Sequence, residues 1–401
     1  MTEQTFSVRA FGAAGDGTAD DTRAFLEAAE RAEEVRGQVL VPPGEYRLTD
    51  TIRLKGATLV GAPEGAFCAD ENVQPVLRFG RGVSKGLHLI HGAVSGVKLE
   101  FPDDNEWDDG VRQIAVYAED TGCRVSNLKI HGAWEGIICN DLVSPETHNP
   151  GRLNVENVFM RDIRCRGLFV GGGLDVSCIR NVEVWSPGSK VFAQRGIGFH
   201  FLKNDGIHIS DCFAFNCDIA FLFDEAHGLE DYNGGTLAWL TNCNVDFSDK
   251  GIVIRGRADD AELEHTYPTQ ITVSGGSYWC HHYAVYVESG LGNLTMNGAD
   301  LRANGSETVR IAAGDSVALS SCLIRREFAH AETPAVRIDG GRNVALNSNI
   351  IKSRNEGVVL EHSDGVVMLH GNILDCGGEA IVAPDGRDFR LHNLVREPVY
   401  S

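Results

Sequence analysis

The sequence predicts an all-β protein in which short strands wind into a parallel β-helix, closed at its N-terminal end by an α-helix. Two observations carry this prediction. Short apolar strands separated by turn residues recur about every two dozen residues between Val125 and Val395, with no helical period between them. One segment near the N-terminus, Thr22–Val35, has a helical period instead.

The N-terminal segment has the composition of a cap. Thr18–Asp21 supplies residues typical of a helix N-cap, and Thr22–Val35 places Phe25, Leu26 and Ala29 on one face of an amphipathic helix. A strand and a Pro-Pro-Gly turn follow in the stretch QVLVPPGEYRL. Because a stack of strands leaves a bare apolar end, we expect this helix to cover that end.

Each repeat contains a short strand motif, such as VSNLKI or ISDCFA, whose third residue suits a turn. These third positions lie 22–33 residues apart, so the unit is near 23 residues, with insertions in the first half. Asn, Asp and Gly tolerate the left-handed backbone of a sharp corner, and stacked Asn side chains hydrogen-bond between coils. The predicted corner residues are Asn127, Asn157, Asn181, Asp211, Asn242, Gly275, Gly298, Ser321, Ser348, Gly371 and Asn393. The position after them, which holds Cys212, Cys243 and Cys322, is predicted to fill apolar slots inside the coil.

A second apolar stretch follows in each repeat after a variable segment, as in GIGFHF, IAFLF and GIVI. No repeat can bury its own inner face, so coils stacked about 4.8 Å apart form one cooperative core. We therefore predict one domain over residues 1–401. It comprises the cap and first strands at 1–61, early coils with insertions at 62–122, regular coils at 123–395 and a tail at 396–401.

The composition excludes several classes of function. The formal net charge of −20 argues against a nucleic-acid partner, because a phosphate backbone requires a basic surface. No apolar run reaches 18 residues, so no membrane span is expected. The 11 cysteines show no zinc-binding spacing, so no structural metal is predicted. Without a signal peptide in the chain as given, we expect a cytoplasmic protein with reduced thiols, or a secreted one if a leader was removed.

The stretches FGAAGDGTADDTRAF and VLVPPGEYRL resemble the opening motif of the pectate-lyase-like superfamily. The resemblance is close over residues 6–61 and extends in kind through the repeats. It implies a right-handed parallel β-helix that acts on carbohydrate, as polysaccharide lyases, glycoside hydrolases, epimerases and tailspike depolymerases do. The motif belongs to a cap, so Asp16, Asp20 and Asp21 are interpreted as turn and cap residues. The catalytic motifs of polygalacturonases, calcium pectate lyases and mannuronan epimerases are not found in the chain.

The resemblance also implies that the strand preceding the corner strand forms the floor of a carbohydrate groove. Period-two alternation along that strand is expected to turn inward Ile197, Phe199, Phe201, Phe221 and Phe223 and to turn their neighbours outward. Consecutive coils are then expected to present four side chains in nearly one line, namely His200, Asp224, Arg255 and Glu288. Continuing along the stack adds Tyr286, Arg310, Arg337, Asp339 and Glu361.

Loop lengths favour the same place. Connections are long at Asp141–Gly151, Asp224–Gly235 and Arg257–Thr269, and long loops in a repeat protein tend to carry function. Glu225 begins the second of these loops. Aromatic side chains that offer flat faces to sugar rings are Trp134, Trp185, Trp279 and Tyr286. The sequence thus predicts a groove centred on residues 195–290.

Three functions fit this set of residues. In lyase-type β-elimination from a uronic acid, His200 or Tyr286 is the base, while the substrate-binding cations are Arg255, Arg310, Arg337 and Lys203. In hydrolysis or transglycosylation, Asp224 and Glu288 act as paired carboxylates, with Glu225 as a substitute. In a tailspike-like binding or structural fibre, the same charges are a solvated face.

The arginines and the superfamily resemblance place the lyase slightly ahead. No cofactor is predicted, although calcium is an alternative to an arginine at the uronate. The expected partner is a carbohydrate, and the resemblance suggests a homotrimer of helices packed side by side. The sugar, the linkage and the choice between endo and exo action are not encoded in any motif of the chain.

Overall fold

The computed structural model describes residues 4–61, 75–102, 112–140, 151–187, 190–224, 235–256, 269–326, 332–361, 365–383 and 392–396. Contacts group the chain into two compact units, Met1–Gly196 and Ile197–Ser401. The prediction of one domain over residues 1–401 stays a prediction.

The first unit consists of short parallel strands and an N-terminal helix. Its elements are β1 (Thr5–Ser7), a 3-10 helix (Val8–Phe11), β2 (Asp16–Asp20), α1 (Thr22–Val35), β3 (Gln38–Val41), β4 (Glu45–Leu48), β5 (Ile52–Lys55), β6 (Thr58–Gly61), β7 (Val76–Phe79), β8 (Lys85–Ile90), β9 (Ala93–Glu100), β10 (Ile114–Glu119), β11 (Arg124–His131), β12 (Glu135–Cys139), β13 (Asn154–Arg161), β14 (Arg166–Trp185) and α2 (Lys190–Arg195). Strands of successive coils pair in parallel, β8 with β10 and β10 with β12. Strands β9, β11 and β13 pair in the same way on another side of the coil.

The second unit continues the same pattern of short strands. Its elements are β15 (Ile197–Ser210), β16 (Phe213–Phe215), β17 (Ile219–Asp224), β18 (Leu237–Thr241), β19 (Asn244–Arg255), β20 (Gln270–Ser274), β21 (Ser277–Ser289), β22 (Asn293–Asn297), β23 (Asp300–Ala303), β24 (Val309–Ile311), β25 (Ser316–Ser320), β26 (Leu323–Arg326), β27 (Val336–Ile338), β28 (Asn343–Asn347), β29 (Ile350–Ser353), β30 (Val358–Leu360), β31 (Val366–His370), β32 (Ile373–Cys376), β33 (Ile381–Val382) and β34 (Leu394–Arg396). Each coil contributes one strand to each of three columns.

The helix α1 has the predicted bounds and packs against the first strands. Phe25 is fully buried and meets the ring of Tyr46 edge to face, with ring centroids 5.2 Å apart. Leu26 was expected on the same face but is 38% exposed. One residue further along an α-helix lies about 100° around the axis, so Phe25 and Leu26 cannot both face the strands squarely.

The acidic residues before α1 are local turn and cap residues, as predicted. The Asp20 carboxylate accepts the backbone N–H of Thr22 at 3.0 Å. The Asp21 carboxylate accepts the N–H groups of Ala14 at 2.6 Å and Gly15 at 3.0 Å, and so fixes the preceding loop rather than the helix end. These bonds satisfy donors that burial would otherwise leave unpaired.

The predicted corner residues take the left-handed backbone conformation. In the first unit Asn157 donates its side-chain amide to Asn127 at 3.1 Å, and Asn181 donates to Asn157 at 2.9 Å. In the second unit Asn242 donates to Asp211 at 2.8 Å. Ten of the eleven corner residues have φ between 51° and 69°, namely Asn127, Asn157, Asn181, Asp211, Asn242, Gly275, Gly298, Ser321, Ser348 and Gly371.

The eleventh corner prediction, Asn393, is wrong by one position. The strand register pairs Ile373 with Leu394, which places Asn393 opposite Asn372 rather than opposite Gly371. Asn349, Asn372 and Asn393 form a ladder in which each amide hydrogen-bonds to the next. Asn349 and Asn372 are buried, and they occupy the slot that Cys212, Cys243 and Cys322 fill in earlier coils.

The core of the second unit lies between the three columns. One column bears on function and is called the site column: residues 197–202 of β15, β17, residues 250–255 of β19, residues 283–289 of β21, β24, β27, β30 and β33. Phe199 stacks on Phe221 with centroids 4.7 Å apart, and Phe201 stacks on Phe223 at 5.3 Å. All four rings are fully buried, each worth about 1.5–3 kcal/mol by burial alone. The predicted inward orientation is confirmed for these four rings. It is wrong for Ile197, which packs against the cluster of Ile219, Leu222 and Val253 outside the Phe core.

Candidate functional site

The outward residues of the site column fall into two rows. In the first row, His200 pairs with Leu222, Leu222 with Val253, and Val253 with Tyr286. The second row consists of Asp224, Arg255 and Glu288, which directly follow the inward residues Phe223, Ile254 and Val287. The register shifts between Ile254 and Arg255, so the backbone of Arg255 pairs with Ser289. Along the strands, His200 precedes the inward residues and the other three follow them. The prediction of one line through all four residues is therefore wrong by two residues along the strand.

Side-chain reach nevertheless brings the four predicted residues together. His200 Nε2 lies 3.7 Å from Asp224 Oδ2, and Arg255 Nη1 lies 3.5 Å from the same oxygen. Arg255 Nε donates to Glu288 Oε2 at 3.0 Å. Asp224 Oδ2 thus lies near both the imidazole and the guanidinium. His200 Nε2 and Arg255 Nη1 are therefore within about 7 Å of each other.

Arg255 keeps two carboxylates beside a permanent positive charge. Burial acts to lower the pKa of Arg255, but the bond to Glu288 and the charge of Asp224 outweigh burial, so the pKa is raised. The guanidinium stays charged in return.

An apolar floor separates the charged groups. Ile219, Leu222 and Val253 form a buried cluster outside the Phe core, with Ile197 and Tyr286 packed against it. Leu222 points outward as predicted, yet it is only 1% exposed. The charges at the edge of this buried cluster suit sugar hydroxyl and carboxylate groups.

Tyr286 ends the floor on the side away from His200. Burial raises the pKa of Tyr286, and the carboxylates of Glu288 and Asp339 raise it further against the opposing charge of Arg310. The phenol therefore keeps its proton at neutral pH, which disfavours the predicted role as a base. Three ladder steps, about 14 Å, separate His200 from Tyr286.

The other predicted arginines are held in ion pairs. Arg310 donates to Asp339 from Nε at 3.0 Å and from Nη2 at 2.8 Å, and its Nη1 lies 3.5 Å from Tyr283 Oη. Arg337 donates to Glu307 at 2.7 Å and pairs with Glu361. Of the three arginines, Arg255 alone contacts the carboxylate that also contacts His200.

A second group of charges lies on the other side of the floor and was missed from the sequence. Lys250 Nζ lies 2.8 Å from Asp218 and 3.2 Å from Asp249, and His282 pairs with Asp249. Lys250 directly precedes the GIVI stretch. Extending the period-two alternation toward the N-terminal end of that stretch would have identified Lys250 as an outward residue.

The remaining predicted residues are placed as follows. Lys203 directly follows the part of β15 that belongs to the site column. It has a φ of 42° and is half-buried. Glu225 lies outside the described residues. Trp279 is 39% exposed, but it lies on the neighbouring column opposite Arg302, whose guanidinium carbon sits 4.3 Å from the ring centroid. Trp279 is therefore not a wall beside His200.

Two of the predicted tryptophans belong to the first unit. Trp134 is buried, with 6% of its surface exposed, so its ring is not offered to a sugar and that prediction is wrong. Trp185 is half-buried, with the Phe159 ring 6.0 Å away and the Arg161 guanidinium 5.2 Å from its ring centroid.

Within the described residues, no group of three or more His, Cys, Asp or Glu side chains is placed to hold a metal ion. Neither described helix has the length and hydropathy needed to cross a bilayer.

Comparison with known proteins decides the family. The family model described as rhamnogalacturonase A/epimerase, pectate lyase-like matches residues 5–229, more than half of the chain. The chain belongs to this family. A model of the right-handed β-helix region matches residues 227–395. The predicted superfamily resemblance and the right-handed parallel β-helix are confirmed, and the pectate lyase-like chain is placed among carbohydrate-active β-helices.

Solved structures share the fold of this pectate lyase-like chain. The A-module of mannuronan C-5 epimerase AlgE6 from Azotobacter vinelandii aligns with a TM-score of 0.62 at 17% identity, over 98% of this chain and 100% of the module. The catalytic unit of a GH87 alpha-1,3-glucanase from Streptomyces thermodiastaticus aligns with a TM-score of 0.57 at 18% identity, over 99% of this chain and 68% of that unit. PfbA, a surface adhesin of Streptococcus pneumoniae, aligns with a TM-score of 0.53 at 12% identity, over 94% of this chain and 91% of PfbA. At these identities the likeness shows the fold alone.

Proposed function

We propose that this pectate lyase-like protein cleaves a uronate-containing polysaccharide by β-elimination, with His200 as the base. The observation that carries the proposal is the shared contact at Asp224, where the imidazole and the Arg255 guanidinium approach one oxygen at 3.7 and 3.5 Å. Elimination requires a base at C5 of the uronate and a cation at its carboxylate, two groups joined to the same carbon. A base and a cation within about 7 Å suit that arrangement.

In the proposed reaction, neutral His200 takes the C5 proton while Arg255 binds the adjacent carboxylate. The electron pair of the C5–H bond becomes the C4=C5 double bond, and the C4–O bond to the leaving sugar breaks. The leaving oxygen takes a proton from water. Asp224 orients the imidazole and stabilises the imidazolium that forms, a positioning role rather than a proton-accepting one.

Hydrolysis is the second candidate. It is favoured by Asp224 and Glu288, which flank one guanidinium at a separation that suits paired carboxylates. It is disfavoured because both carboxylates already contact the Arg255 guanidinium, at 3.5 Å from Asp224 and 3.0 Å from Glu288.

The test is the product formed from soluble polyuronates such as polygalacturonate and alginate. β-Elimination gives new reducing ends together with the ultraviolet absorbance of an unsaturated uronate, and we expect both to rise in parallel. Reducing ends without that absorbance would establish hydrolysis. Exchange of the C5 proton with deuterated water and no cleavage would establish abstraction followed by reprotonation, and would also contradict the proposal. Lack of any change in every glycan would favour a non-catalytic fibre.

A further inference from the structure

An aromatic strip lies on the column next to the site column in the second unit. It consists of Phe215, Phe247, Trp279 and His281, which come from the consecutive coils of β16, β19 and β21. The rings of Phe215 and Phe247 are stacked with centroids 5.8 Å apart, and His281 meets Phe247 edge to face at 5.2 Å. Phe247 is 59% exposed and Trp279 is 39% exposed. Phe215, Phe247 and His281 are therefore in ring contact, and Trp279 lies in the same column two residues before His281, with its ring against Arg302.

The backbone at Phe247 is strained. Its φ of 54° lies in the left-handed region, at a β-bulge where the register of β19 shifts between Val245 and Ser248. A bulky residue in this region is a conformational outlier that costs about 1–3 kcal/mol. Because the ring is largely exposed, its burial contributes little free energy to offset the cost of this backbone conformation. Two unfavourable features at one residue point to a role outside the packing of the coil.

We propose that the aromatic strip is a binding platform for an extended glycan chain, distinct from the groove that holds His200. Pyranose rings present C–H groups on one face, and these stack on the faces of aromatic rings. Successive coils are about 4.8 Å apart, a spacing comparable to one pyranose residue in an extended chain. Three coils of aromatic side chains therefore match two or three consecutive sugars.

Hydrogen-bonding groups line the edge of the strip that adjoins the site column. Asp249 follows Phe247 by two residues and pairs with His282, while Lys250 lies 3.2 Å from Asp249. Carboxylate, imidazole and ammonium groups bind sugar hydroxyls beside a stacking surface. In β19, only the short segment Phe247–Asp249 separates the column of the strip from the site column. A glycan bound to the strip therefore lies beside the groove.

The test separates the ring of Phe247 from its backbone. Asn tolerates the left-handed conformation, so Phe247→Asn removes the ring and relieves the strain. Retention is measured by native affinity electrophoresis in gels that contain polygalacturonate, alginate or dextran. We expect the wild type to be retained by at least one of them, and Phe247→Asn to raise the apparent Kd about tenfold without lowering Tm. Trp279→Ala is expected to weaken retention in the same gel.

The matched control is Ile350→Ala, since Ile350 is 40% exposed on the same column three coils beyond Trp279. Its retention should equal that of the wild type. Equal retention of Phe247→Asn, or no retention of the wild type in any gel, would overturn the platform. A fall in Tm that accompanies lost retention would assign the ring to the scaffold. Retention does not depend on cleavage, so this proposal fails or holds separately from the role of His200.

Discussion

Replacing His200 by glutamine is expected to lower the turnover of a cleaved polyuronate by about 10²- to 10⁴-fold, the usual contribution of a positioned general base. Glutamine is close in size to histidine and polar, but it cannot accept the C5 proton. The side chain is 11% exposed and sits beside the Leu222 floor, so a similar volume should leave the packing intact. The measurement is kcat from ultraviolet absorbance, with Tm as the check on folding.

Two further variants make the His200 result specific. Asp224→Asn keeps the shape of the carboxylate but not its charge, and we expect a smaller loss of up to about 10²-fold, since misplacement of a catalytic group costs that much. Arg325→Gln is the control, because Arg325 forms an ion pair with Asp300 on the neighbouring column. Activity of His200→Gln within a few fold of the wild type would remove the imidazole from the mechanism.

The fold was readable from the sequence because corner residues have few chemical substitutes. Asn127, Asn157 and Asn181 mark the same corner in successive coils, and a left-handed backbone admits few residue types. Asn393 shows the limit of that reasoning. An Asn suits both the corner and the buried slot after it, so the short motif LHNLV fits either register, and only strand pairing separates them.

The site was less readable, since parity gives the direction of a side chain but not its neighbours. Parity correctly turned Asp224 and Arg255 outward. It carried no information on whether a cation would already be paired, and Arg255, Arg310 and Arg337 are each bonded to a carboxylate from an adjacent coil. Residue type likewise does not distinguish an exposed aromatic ring from a buried one. For that reason the prediction that Trp134 offers its ring to a sugar is wrong.

Replacing Asn349 by alanine is expected to reduce the free energy of unfolding by about 2–5 kcal/mol, because two buried backbone groups lose their partners at about 1–3 kcal/mol each. The Asn349 side chain accepts the N–H of Cys322 at 2.9 Å and donates to the carbonyl oxygen of Leu319 at 3.0 Å. Its amide also donates to Asn372 at 3.0 Å, so the variant removes the first residue of the ladder. Solvent cannot replace these bonds, since Asn349 is fully buried.

Urea denaturation measures the effect, and an exposed asparagine supplies the control. Asn343 begins the strand that ends just before Asn349, and its side chain donates to the carbonyl oxygen of Asp315 at 3.2 Å in an exposed setting. Because water satisfies both groups once the side chain is removed, Asn343→Ala should cost less than about 1 kcal/mol. Asn349→Cys should cost less than Asn349→Ala, since Cys322 fills the equivalent slot one coil earlier. If the two alanine variants shift the midpoint equally, the buried amide ladder does not hold these coils together, and apolar packing alone must do so.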